Sequence, residues 1–206
     1  MRTTGSRELA VTLALLLLTL SACERYSADP IEAWVVDALT KAPLEGVVVT
    51  ANWQLTGGFE GGYPKGQMLV METVTDKSGR FYFPAWGPKV HLGEGKLRET
   101  QPQLLLFKSG YQYRRLYNEA RSDEIYAGKS EWSGKVIGMN EFTGSSADWF
   151  ASLQQVVPSY DRPEDAKKSP MLRAILAEER AIPESIPEKQ PFFDNIVRRL
   201  LEGERK

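Results

Sequence analysis

A single cysteine and a single histidine stand in the 206 residues of the chain. One thiol cannot close an intrachain disulfide, so stability must come from burial alone. One imidazole leaves Ser-His-Asp or Cys-His catalysis nothing to build on except His91, next to Lys89 and Gly93, which reads as a solvated loop histidine. Zinc wants three or four His, Cys or carboxylate ligands at local spacing, and that set is missing; no cofactor is expected. Charge of one sign is also missing. Lys+Arg 26 against Asp+Glu 27 gives a formal net charge of -1, no cationic field for a phosphate backbone, so nucleic acid is excluded as the main partner. Twelve prolines and 17 glycines argue against a long coiled coil. What remains, 42% hydrophobic and 26% charged, is the composition of an ordinary folded protein.

The N-terminus carries an address. Arg2 and Arg7 precede an apolar run over 9–20, the length of an export-signal core and short of the ~20 residues that cross a bilayer. Leu20-Ser21-Ala22-Cys23 follows: an aliphatic residue, two small ones and the lone cysteine. This is similar to the lipobox of bacterial lipoprotein signal peptides. The resemblance implies that 1–22 is removed and that Cys23 is acylated on sulfur and then on its new amino group, making the lipid bilayer the first partner. Two or three acyl chains, at roughly 0.8 kcal/mol per buried methylene, hold far more firmly than one. Glu24, where inner-membrane retention uses aspartate, resembles an outer-membrane substrate, facing the periplasm or the cell surface. Residues 23–30 then form a short lipidated tether, at most about 27 Å long when extended.

From residue 31 the pattern turns to short β-type runs. Val47, Val49, Ala51, Trp53 and Leu55 alternate with Val48, Thr50, Asn52 and Gln54, one apolar face and one mostly polar face. Runs at 68–75 and 80–83 flank Asp76-Lys77-Ser78-Gly79, which predicts a hairpin. Runs at 104–107 and 111–117 flank Lys108-Ser109-Gly110, and a seventh strand is predicted at 135–142. Without helical crossovers, these strands predict an antiparallel sandwich.

Val35-Val36-Asp37-Ala38-Leu39-Thr40 with Pro43-Leu44-Glu45-Gly46-Val47-Val48-Val49, then Thr75-Asp76-Lys77-Ser78-Gly79-Arg80-Phe81-Tyr82-Phe83, then Lys108-Ser109-Gly110-Tyr111, resembles the carboxypeptidase regulatory-like domain. The resemblance implies a transthyretin/prealbumin-like β-sandwich of about seven strands. It departs from the family in an insertion between Phe83 and Leu104 and in an enlarged loop over 57–66.

Beyond about residue 143 the period becomes helical, so 31–143 is read as the sandwich and 144–206 as a helical C-terminal extension. Ser145 or Ser146 caps a helix carrying Trp149, Phe150 and Leu153, and Ser169-Pro170 caps a second. Phe192, Phe193, Ile196, Val197, Leu200 and Leu201 make one stripe of a third, which either packs on the sandwich or docks a partner.

Chemistry-bearing patterns are sparse. The Tyr-Arg-Gly-Ser ending of the transthyretin-like hydroxyisourate hydrolases is absent, and the glycine-rich stretch over 57–66 lacks the Gly-Lys-Ser/Thr of a P-loop. It reads instead as a long hairpin loop whose aromatics either fold back on the core or are presented, Phe59 and Tyr63, at one end of the sandwich; with Trp86 and Trp132 these are the candidate ligand or partner contacts. No catalytic residue is assigned. Adjacent acids, Asp123-Glu124 and Glu178-Glu179, are read as a solvated face. The expectation is a non-catalytic envelope lipoprotein that binds, assembles or supports, its partner an envelope protein or a polysaccharide. The alternative is a periplasm-facing hydrolase using carboxylates in a cleft between sandwich and helices.

Overall fold

The computed structural model describes residues 24–58, 62–119, 127–156 and 168–202, the last four of these without their side chains. Cys23, Phe59, Asp123 and Glu124 lie outside the described residues, as does the apolar run over 9–20.

The chain is mainly β, with ten strands followed by three helices among the described residues. Strand β1 is Glu24–Ala28, β2 Ile31–Asp37, β3 Val48–Gly57, β4 Tyr63–Val74, β5 Arg80–Phe83, β6 Trp86–His91, β7 Lys96–Leu97, β8 Gln103–Phe107, β9 Arg114–Leu116 and β10 Val136–Met139. Helices α1 (Ser146–Val156), α2 (Pro170–Ala177) and α3 (Lys189–Glu202) follow, with a 3-10 turn at Glu178–Arg180 after α2.

One sheet has the order β10-β2-β5, and a larger one runs β4-β3-β8-β9 with β7 added beside β3. Their inner faces make a sandwich-like core, in which Ile31, Ala33, Val35, Phe81 and Phe83 meet Val49, Ala51, Trp53, Leu104 and Leu106. The period-two alternation of β3 placed these residues correctly: Val49, Ala51 and Trp53 have no exposed surface.

The structure departs from the sequence expectations in five places, each with a physical cause. The expected tether over 23–30 contains strand β1, antiparallel to β6 with Glu24 opposite His91 and Ala28 opposite Trp86. The same two strand lines then continue as β2 and β5, Ile31 opposite Phe83. Pro30 and Pro84 lie in the gap between the two ladders, where missing backbone N–H groups interrupt pairing. The insertion after Phe83 is therefore the partner of β1.

The turn at Asp76-Lys77-Ser78-Gly79 forms, but it joins two sheets. Strand β4 pairs with β3 and β5 pairs with β2, so the turn is a corner of the sandwich rather than a hairpin. Asp76 Oδ1 accepts from the N–H groups of Ser78 and Arg80. Gly79 has φ +75, and a Cβ there would lie 2.3 Å from the Val35 carbonyl oxygen, so only glycine fits.

Strand β10 runs parallel to β2, Val136 opposite Trp34. An all-antiparallel sandwich was expected because no long crossover is visible between neighbouring strands. The crossover is the rest of the sandwich, from the end of β2 to the start of β10, which satisfies the need of a parallel pair for a long connection.

The outer face of β3 is not solvated. Val48, Thr50 and Asn52 are buried; Val48, with Leu105 and Phe107 of β8, packs under Trp149, Phe150, Leu153, Met171, Ile175, Phe193 and Ile196. The region after 143 is thus a third layer of the same body. Phe107 stacks on Trp149 with ring centroids 6.1 Å apart, and Phe150 meets Phe192 edge-on at 5.2 Å. Packing on its own sheet, not partner docking, accounts for the Phe192, Phe193 and Ile196 stripe of α3.

The helix caps follow the sequence. Ser145 Oγ accepts from the Asp148 N–H at 3.2 Å, while the Asp148 carboxylate accepts from the Ser145 N–H at 2.9 Å, a reciprocal capping box. Ser169 Oγ, buried, accepts from the Leu172 N–H at 3.0 Å with Pro170 in the first turn. Glu178 corrects the solvated reading of Glu178-Glu179: it is buried and accepts from the Trp149 indole N–H at 2.9 Å.

Candidate functional site

Strand register divides the sandwich into two ends with different chemistry. At the first end lie the start of β1, the end of β6, the 92–95 loop, β7, the end of β3 and the start of β4. Glu24 pairs with Lys96 at 2.8 Å and Lys65 pairs with Glu94 at 2.7 Å, tying the small ribbon to the larger sheet. Tyr26 donates its hydroxyl to Glu24. The hydrogen bond from Lys96, followed by that from Tyr26, holds the Glu24 carboxyl below its ordinary range. His91 ends β6 half-buried, its Nε2 3.1 Å from the Glu94 carbonyl oxygen.

The sequence candidates do not gather on one surface. Tyr63 is 69% exposed at the start of β4. Trp86 is buried and meets Trp53 edge-on, centroids 5.5 Å apart, with Lys89 Nζ 5.8 Å from its ring centroid. Trp132 is half-buried against the inner core, its indole N–H donating to the Tyr117 carbonyl at 3.1 Å. Trp86 is therefore corrected from contact residue to core residue. Sequence reasoning did not recognise β6 as a strand, since it has no alternation to read: Trp86 is its one buried residue and the next four positions are exposed.

The segment carrying Trp132 is organised by a residue that sequence reasoning missed. Asn118 is buried, with its amide nitrogen 2.8 Å from both the Glu99 and Gln101 carbonyl oxygens and 2.6 Å from that of Lys129. Its Oδ1 accepts from the Glu131 N–H at 2.9 Å. No periodicity marks such a residue; only the convergence of three chain segments does.

At the opposite end a cleft of about 270 Å³ is lined by Asp37, Leu39, Thr40, Asn140, Glu141 and Thr143. Its two acids were not singled out from sequence, since residues a hundred positions apart share it only through the parallel β2–β10 pairing. Asp37 is buried, and its Oδ1 accepts from the Thr40 N–H at 2.7 Å, the Thr40 hydroxyl at 2.9 Å and the Leu39 N–H at 3.0 Å. The Thr40 N–H, then its hydroxyl, hold the Asp37 carboxyl below its ordinary value, with Leu39 and the Tyr111 hydroxyl adding to them. Burial first, then the charges of Asp37 and Glu141, raises the Tyr111 phenol. An aspartate so occupied holds the turn after β2 and is kept ionised, the wrong state for a general acid.

Among the described residues no three His, Cys, Asp or Glu side chains gather as a metal site, and no helix is long and apolar enough to cross a membrane.

No family model matches the sequence, and no curated protein matches it. Among solved structures, the chain shows likeness to 3-chlorocatechol 1,2-dioxygenase from Rhodococcus opacus 1CP, at 14% identity and TM-score 0.33 over 59% of this chain and 62% of that one. It also shows likeness to a streptococcal ancillary pilin, at 16% identity and TM-score 0.28 over 59% of this chain and 31% of that one. The chain thus spans less than two thirds of either neighbour.

Proposed function

We propose that this chain is an envelope lipoprotein, anchored through acylated Cys23 in the outer membrane, whose transthyretin-like sandwich and helical layer form a non-catalytic binding, assembly or structural module. The observation that carries the reading is Leu20-Ser21-Ala22-Cys23 behind a basic and apolar export segment, with a folded strand beginning at the next residue, Glu24. The sole thiol of the chain has a use in this reading, and the partner is an envelope protein or a polysaccharide.

The test is metabolic labelling with an alkyne fatty acid in the native host. The wild-type chain is expected to take up label, lose its first 22 residues and fractionate with membranes; Cys23→Ser is expected to do none of the three. Unchanged processing and fractionation in Cys23→Ser would overturn the anchor. A second reading, a hydrolase, draws support from the cleft that holds Asp37 and Glu141. It requires Glu141→Gln to abolish an activity that Asp37→Asn, through its turn, lowers together with stability.

A further inference from the structure

We propose that the sandwich end formed by Glu24, the 92–95 loop and the start of β4 lies against the bilayer, with Leu92, Val90 and Tyr63 entering the headgroup layer. The inference rests on the reading of Cys23 as the acylated residue and adds to it a specific face. Cys23 is joined directly to Glu24, so their Cα atoms are about 3.8 Å apart across one peptide. Glu24 is already fixed in β1 opposite His91, at a cross-strand Cα distance of roughly 5 Å. No free tether separates lipid from fold, and the acyl chains must draw this end of the body down to the surface.

The end is built for that contact. Leu92 is 81% exposed, Tyr63 69% and Val90 51%, a side-chain set suited to the boundary between headgroups and acyl chains, where tyrosine is enriched and apolar groups sit a few ångströms deep. Val90 and Leu92 stand two positions apart, at the end of β6 and just beyond it. Around them the two carboxylates Glu24 and Glu94 are each taken by a lysine, so Arg25, Lys89 and Arg98 leave the described residues of this end positive, complementary to anionic headgroups. The opposite end carries Leu39, 89% exposed, beyond the last residue of β2 and so distant from Glu24 along the continuous β1–β2 line.

The experiment uses the full chain with one added thiol, Leu92→Cys or Leu39→Cys, and Val90→Cys as a second reporter of the same face. Membranes from the native host are treated with a membrane-impermeant maleimide, and the same samples are read for alkyne fatty-acid incorporation. Leu92→Cys and Val90→Cys are expected to react at least about tenfold more slowly than Leu39→Cys, the lower edge of the factor that corresponds to burying one such side chain. The difference is expected to persist with purified protein in vesicles of phosphatidylethanolamine and phosphatidylglycerol. Equal rates at both ends, with fatty-acid label present, would overturn the face and leave the anchor standing. Slow reaction at positions 90 and 92 without label would overturn the anchor and keep the face. Protection lost in the purified vesicles would overturn a lipid contact in favour of a protein cover.

Discussion

The two faces of β3 are covered by very different means. Its inner face is apolar at every second position, Val49, Ala51, Trp53 and Leu55, and meets a second sheet equally apolar at Ile31, Ala33 and Val35. Its outer face offers Val48 and then Thr50, Asn52 and Gln54, yet Thr50 and Asn52 are as buried as many inner residues. Helices α1 to α3 supply the apolar mass there, through Trp149, Phe150, Leu153, Met171, Ile175, Phe193 and Ile196. Thr50 tolerates this because it donates its hydroxyl to Glu72 at 3.2 Å across to β4, so burial does not orphan that hydroxyl. The difference teaches that a polar strand face can be interior when a later segment brings its own hydrophobic layer, and that the region after residue 143 belongs to the same folding unit.

Three measurements break or sharpen that contrast. Trp53→Ala in the inner core and Phe193→Ala in the outer one are each expected to cost about 3–5 kcal/mol, the usual loss for a buried aromatic. In urea titrations followed by the sheet and helix bands of circular dichroism, both variants should shift one common transition. A Phe193→Ala variant that moves the helical band alone would divide the layers into separate units.

A smaller effect is expected at the outer layer's cap. Ser169→Ala removes the buried acceptor of the Leu172 N–H and should cost about 0.5–2 kcal/mol. Threonine at this position should recover most of the loss, and equal losses for threonine and alanine would refute capping as the cause.

Acid is the gentlest probe. Asp37 and Asp76 at the inner sandwich and Asp148 at the α1 cap are all held below their ordinary value of 3.8. A carboxylate whose pKa falls on folding contributes stability fully present above its unfolded value and lost as the pH drops through the lower folded one. Thermal midpoints are therefore expected to be insensitive to these groups at pH values well above 3.8 and to decline below it. Asp37→Asn and Asp148→Asn should each flatten part of that decline; an undiminished slope in either variant would remove its aspartate from the account.

Local chemistry was readable because it acts over a few residues. Gly79 announces its turn through positive φ, Ser145 and Ser169 announce helix starts through their side-chain oxygens, and the alternation of β3 announces which side meets the other sheet. The candidate site was less legible. Tyr63 is exposed at a sandwich end but stands in β4, paired with Gly57, rather than in a loop, whereas Trp86 is core, packed edge-on against Trp53, on a strand hidden in the insertion after Phe83. The opposite cleft and the Asn118 junction escaped notice, since each is made by segments far apart along the chain.

From the order of residues alone came the β-rich body, the helix caps and the inner half of the core, all set by spacing of two or four. Folding in three dimensions settled which strands pair, that β10 runs beside β2 in parallel, that the outer face of β3 lies under helices and that β1 begins where a tether was expected. Those outcomes depend on contacts between distant segments, whose free energy is a property of the packed whole and has no signature in any short stretch of the chain.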